Sequence, residues 1–215
     1  PAGITIIKRP IVEPYMAYKS FVGMKKGEKV NAGFLKEKDK PGLAEGIAVW
    51  LRGNFFIPDA RCFWIRPSAR FLIKYLADHP VDAIVSTGPP HSMHLIALRV
   101  HQKLKIPWLA DFRDPWTGID FYHQLKLTFL ADRRHRILEK KVLREATAVT
   151  VVSRDMADEF KLLADREYKL VTNGFDEEDI SPLPLDQLDE LFTISHIGSL
   201  NASRNPAGLW KVLAA

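Results

Sequence analysis

Short runs rich in Val, Ile and Leu punctuate the second half of the chain at regular intervals: VDAIVST (81–87), IPWLADF (106–112), AVTVVS (148–153) and YKLVTN (168–173). Stretches with apolar residues at helical spacing separate them, at about 92–104, 125–146 and 155–164. The short runs do not alternate apolar with polar residues, as expected of strands covered by helices on both faces of a parallel sheet. Strand and helix in repetition, joined by right-handed crossovers, predict the α/β class with an open, doubly wound parallel sheet. Upstream, ITIIK (4–8) predicts a short buried strand, residues 43–51 a helix, and residues 68–78 a second helix with Ser68 as its N-cap. Downstream, the acidic, proline-punctuated stretch 176–191 reads as a linker. FTISHIG (192–198) then predicts a new strand and residues 206–213 a helix. One strand and one helix cannot bury a core, so residues 192–215 read as the opening unit of a second domain.

Composition narrows the classes. With 47% hydrophobic and 27% charged residues, the 215-residue chain is not a disordered or low-complexity protein. Its single cysteine, Cys62, excludes a disulfide scaffold and a thiolate metal cluster, and suits a reducing compartment. The apolar runs fall short of a bilayer span, and PAGITIIKRP lacks the pattern of a signal peptide. A net charge of +5 suggests an anionic partner without identifying one.

The positive charge is unevenly spread. Between Lys19 and Lys40, seven lysines face three acids among Phe21, Val22, Met24, Phe34 and Leu35, which fits either a loose insertion or a membrane-contacting arm. On the long helix, Arg133, Arg136, Lys140 and Arg144 fall at i, i+3, i+7 and i+11. That stripe is either a solvated face paired with Asp132, Glu139 and Glu145 or a surface for lipid headgroups or diphosphate.

In an open parallel sheet ligands bind beyond the carboxyl ends of the strands, where helix N-termini present N–H groups. STGPPHSMH packs a glycine, two prolines and two histidines into the first such loop, as either a helix cap or a ligand contact. His91, His94 and His101 fall at i, i+3 and i+10, too far apart for one metal ion. In ADFRDPWTGIDFYH, Asp111, Arg113 and Asp114 cluster before Trp116, Phe121 and Tyr122. One reading is a local Arg113–Asp114 ion pair; the other is a carboxylate beside an aromatic wall suited to sugar rings. The Walker A, GxGxxG, GxSxG and HExxH motifs do not occur.

The segments VDAIVSTGPPHSMHLIA, IPWLADFRDPW, TNGFD and FTISHIGSLNASRNPAGLW, in that order, resemble the GT-B glycosyltransferases, specifically the retaining family-4-like group that works on bacterial surface polysaccharides. The resemblance implies two facing Rossmann-like domains, with acceptor bound by the first, nucleotide-sugar by the second, and transfer in the cleft. On it, residues 1–175 are an acceptor-binding domain lacking its first strand, 176–191 the linker, and 192–215 the first strand, loop and helix of a truncated donor-binding domain. A chain truncated at both ends would be inactive by itself.

The resemblance places Asp114 as the catalytic side chain and Gly88, His91, Arg113 and Trp116 on the acceptor side. Asn173, Gly174 and Asp176 match the crossover between domains, where Asn-Gly suits a left-handed turn. Gly198 matches the glycine that admits the donor phosphate. Ser199 stands where an arginine is common, and Arg204 is expected to take part of that role. Neither metal nor any other cofactor is expected. The expected partners are a nucleotide-sugar, a carbohydrate or lipid-linked acceptor and an anionic membrane surface, without nucleic acid, in a cytoplasmic protein peripheral to the inner membrane. The alternatives are a sugar-nucleotide epimerase or other GT-B-like Rossmann enzyme, and a non-catalytic anion-binding α/β module.

Overall fold

The structure, a computed structural model, describes residues 3–11, 43–177, 191–198 and 205–214. They fall in two compact units, one carrying residues 3–11 and 43–173, the other 174–177, 191–198 and 205–214. The first unit runs α1 (Leu43–Phe55), α2 (Cys62–Asp78), β1 (Ile84–Gly88), α3 (Ser92–Leu104) and β2 (Trp108–Phe112). A 3₁₀ turn at Tyr122–Leu125 then precedes α4 (Phe129–Glu145), β3 (Ala148–Val151), α5 (Arg154–Leu163) and β4 (Lys169–Leu170).

The four strands form one parallel sheet in the order β1-β2-β3-β4. Gly88 lies opposite Phe112, Phe112 opposite Val151, and Val151 opposite Leu170. The fold is therefore α/β and Rossmann-like, as the strand–helix rhythm predicts. A sequential order with right-handed crossovers sends every connecting helix to the same face. Burial agrees. Trp108, Ala110, Phe112, Val149 and Val151 are sealed against α3, α4 and α5, while Val85 on the opposite face is exposed. Among the described residues, helices thus cover one face rather than the two expected. The opposite face carries a polar rung: Thr87 Oγ1 and Thr150 Oγ1, on flanking strands, donate to Asp111 Oδ2 and Oδ1 at 2.8 and 2.7 Å.

Several boundaries differ from the sequence reading. α2 starts at Cys62, with Pro67 inside it, and Ser68 is a buried mid-helix residue rather than a cap. Asp59 begins the turn: its Oδ1 accepts from Arg61 N at 2.9 Å and its carbonyl from Cys62 N at 3.0 Å. Ile65, Ser68, Ala69 and Leu72 then face the core at i, i+3, i+4 and i+7, so packing outweighs the one backbone bond that Pro67 cannot make. α4 begins at Phe129, after Lys126 takes a left-handed conformation (φ 49°) and Thr128 Oγ1 accepts from Ala131 N.

No strand forms at 4–8 or at 192–198. A strand needs a neighbouring edge for its N–H and C=O groups, and Ile4, Ile6, Phe192 and Ile197 are exposed instead. The helix expected at 206–213 is present as α6 (Ala207–Leu213). The lysine-rich segment 19–40 and linker residues 178–190 lie outside the described residues.

Candidate functional site

Parallel strands end on one rim, so the loops after β1, β2, β3 and β4 of the first unit open on the same side. A cavity of about 500 Å³ around Ala148, Ala164 and Arg166 lies away from it, at the strands' amino ends.

At the β1 end, the Gly88 carbonyl accepts from Arg113 N at 3.0 Å, extending the ladder into the next loop. A Cβ on Gly88 would sit 2.6 Å from His94 Nε2 and 3.1 Å from His91 Nδ1, so two imidazoles pack directly on this glycine. The N-terminus of α3, expected to offer free N–H groups, is capped from within. Asp59 Oδ2 accepts from Ser92 N at 2.8 Å and Oδ1 from Ser92 Oγ at 2.6 Å.

His94 is fixed by a relay. Trp108 Nε1 donates to Ser86 Oγ at 2.8 Å, which leaves the serine proton for His94 Nδ1, also at 2.8 Å. The remaining ring hydrogen of His94 is assigned by this network to Nε2, facing Gly88. Burial pushes His94 and His91 each down to about 3, with a neighbouring imidazole adding to the effect, so both are neutral at ordinary pH. His101 stands apart, its Nδ1 2.7 Å from the Ile106 carbonyl.

The β2 loop is held by residues the sequence reading placed elsewhere. Glu139, expected on the solvated face of α4, is fully buried beneath the loop. Its Oε1 accepts from Trp116 N and Thr117 N at 3.1 and 3.2 Å, and its Oε2 from Thr117 Oγ1 at 2.5 Å. Burial pushes the carboxyl up, and these three bonds pull against it. The signal was in the helical period: Glu139 falls on the same face as Ala131, His135 and Val142.

Trp116 is only 3% exposed, so it is not the open aromatic wall expected for a sugar ring. Its ring lies parallel to His91 at 5.0 Å, and its Nε1 donates to His135 Nδ1 at 2.9 Å. His135 in turn reaches toward the Gly53 carbonyl of α1 at 3.4 Å. Loop, α1, α3 and α4 are thus tied through one buried chain of rings.

Above this clamp the chain turns outward. Arg113 is exposed and its Nε lies 3.6 Å from Asp111 Oδ2, so the ion pair expected with Asp114 forms with Asp111 instead. Asp114 is exposed and makes no hydrogen bond or ion pair among the described residues. It sits between two pinned points, Arg113 N on Gly88 and Trp116 N on Glu139. A carboxylate presented this way has both acceptor oxygens open and little loop entropy left to lose.

The β4 exit differs. Asn173, Gly174 and Asp176 are exposed, a Cβ on Gly174 would meet nothing within 4 Å, and Gly174 does not take the left-handed conformation expected of the Asn-Gly pair. The division between the two units falls between Asn173 and Gly174. Gly198, in the second unit, has φ +129°, a backbone that only glycine adopts easily. Ser199 and Arg204 lie outside the described residues.

A family model described as a glycosyl transferase 4-like domain matches residues 44–174, more than half of the chain and the whole run from α1 to the β4 exit. The chain belongs to the glycosyl transferase 4-like family. No curated protein and no solved structure matches it. Family membership makes this a GT-B-type, Rossmann-like glycosyltransferase domain, with its rim loops where α/β enzymes hold ligands.

Proposed function

We propose that the chain is the acceptor-binding half of a retaining glycosyltransferase. It moves a sugar from a nucleotide-sugar to a surface-polysaccharide or lipid-linked acceptor at the cytoplasmic side of the inner membrane. What carries this reading is Asp114, an exposed carboxylate held on a loop clamped at both ends, within a glycosyl transferase 4-like domain.

Retaining transfer of this kind develops positive charge on the donor sugar while the diphosphate leaves with negative charge. A pre-positioned carboxylate near the sugar favours the first, and cations and backbone N–H groups at the diphosphate favour the second. Asp114 takes the sugar side and accepts from acceptor or donor hydroxyls, while Gly88, His91, Arg113 and Trp116 set the shape of the loop wall around it. His91 and Trp116 act from beneath, by fixing the loop, and not as a stacking platform. The resemblance assigns the diphosphate to Gly198, Ser199 and Arg204, and the change of angle between domains to Asn173, Gly174 and Asp176. No metal or other cofactor has a part in this scheme.

In the protein carrying this chain with its complete donor-binding domain, Asp114→Ala lowers transfer by about a hundredfold or more. The same change leaves the unfolding free energy within about 0.5 kcal/mol, because the side chain makes no bond to lose. Unchanged transfer removes Asp114 from the reaction. Interconversion of free nucleotide-sugar without acceptor turns the assignment to an epimerase.

A further inference from the structure

Helix α4 is buried along one face and bare along the other. Residues follow one another by about 100° around a helix, so Phe129, Leu130 and Ile137 share the outward face with Arg133, Arg134, Lys141 and Arg144 within an arc of about 140°. The three apolar side chains are 77%, 74% and 54% exposed, and the four cations are exposed as well.

The acids of α4 lie off this arc and are engaged. Asp132 holds Arg136 and accepts from the Tyr122 hydroxyl, and Glu139 is buried under the β2 loop. Glu145 accepts from Gln102 and lies 3.7 Å from Lys141. Arg133, Arg134 and Arg144 have no ion pair among the described residues. The start of α4 is tied to the end of α1, where Asn54 Oδ1 accepts from Thr128 N and its Nδ2 donates to the Lys126 carbonyl, and Phe55, next to Asn54, is exposed.

Cations alone would suit any polyanion. Exposed Leu, Ile and Phe side chains among them suit a surface that offers phosphate and hydrocarbon within a few ångströms, and a bilayer interface does so. We propose that the outward face of α4 docks the protein on an anionic lipid bilayer. Phe129, Leu130 and Ile137 enter the headgroup–acyl boundary, and Arg133, Arg134, Lys141 and Arg144 lie against lipid phosphates. This extends the location proposed above, yet its test needs no sugar transfer, so the two readings fail separately.

The test is co-sedimentation of the full chain with phosphatidylglycerol-containing or pure phosphatidylcholine vesicles. The chain binds the anionic vesicles, binds phosphatidylcholine weakly, and loses affinity at about 0.5 M salt. Arg133→Glu with Arg134→Glu, and separately Phe129→Ser with Leu130→Ser, each weaken binding at least about tenfold. Lys74→Glu with Lys103→Glu, the same change in net charge on other exposed positions, leaves it within about twofold.

Three results overturn the proposal: no binding of the unaltered chain to anionic vesicles, equal loss from the Lys74 and Lys103 changes, or unchanged binding after Phe129→Ser with Leu130→Ser. A bimane label on Leu130→Cys in a Cys62→Ser background covers the case in which a variant misfolds. Its emission shifts to the blue with anionic vesicles, and the same label on Lys74→Cys does not shift. A Leu130 label blind to vesicles also overturns the proposal.

Discussion

The loops after β2 and β4 leave the same rim of the same sheet and are built in opposite ways. The first rests on buried polar groups: Glu139 under two backbone amides and a hydroxyl, His135 under the indole, His91 against its face. The second, from Asn173 onward, is exposed, and at Gly174 a side chain would touch nothing. Rigidity on this rim comes from what lies beneath a loop and not from the loop's own residues, although both carry turn-forming Pro, Gly or Asn. The difference fits the roles proposed above for the two loops, an aimed carboxylate at Asp114 and a hinge at Asn173–Asp176.

The largest effect that could break this contrast is one of pH. His91 and His94 bind a proton near 6.5 when unfolded and only near 3 when folded. Between those values the unfolded chain holds more protons, so stability is full above 6.5 and falls as pH drops, by about 1.4 kcal/mol per pH unit for each histidine. Glu139, with its carboxyl pushed up, works the other way, but only near and above the ordinary carboxylate range. Denaturant midpoints measured from pH 7 to 5 therefore decline steadily. A flat profile means that these rings are not held neutral under the β2 loop.

Next in size is Glu139→Ala. It strands Trp116 N, Thr117 N and Thr117 Oγ1 without an acceptor in a dry site, and costs about 3 kcal/mol or more. A loss under about 1 kcal/mol by chemical denaturation would show that the clamp carries little of the loop's order.

The finest comparison sets glycine against glycine. Gly88→Ala drives a methyl to 2.6 Å from His94 Nε2 and costs about 1–3 kcal/mol, whereas Gly174→Ala enters open space and changes stability by no more than about 0.5 kcal/mol. Equal costs would erase the distinction between the two loops.

The strand–helix rhythm was legible because buried parallel strands advertise themselves as Val/Ile runs, and the helices between them keep a clear period. What stayed hidden depended on contacts distant in sequence. Asp59 caps α3 from 33 residues away, and nothing in either segment alone announces it. Glu139 looked like one more surface charge because its neighbours Lys140 and Lys141 are basic; only its position on the Ala131–His135–Val142 face marks it as inward. Trp116 was read from its residue type as a sugar platform, yet a tryptophan beside a buried glutamate and two imidazoles is better satisfied inside. Asp114 was singled out as a candidate through the family resemblance alone; the structure adds that Asp111 is taken up by Thr87, Thr150 and Arg113 while Asp114 is exposed.

Asp111 has its own consequence. Its two oxygens are shared by threonines on the strands to either side, so this acid checks alignment across three strands at once. Sliding β2 by one position would turn Asp111 into the hydrocarbon interior and swing Phe112 out to water, while leaving both hydroxyls unanswered. A slipped pairing is penalised on both faces, and the short strands of this sheet can find their partners without a long ladder to guide them.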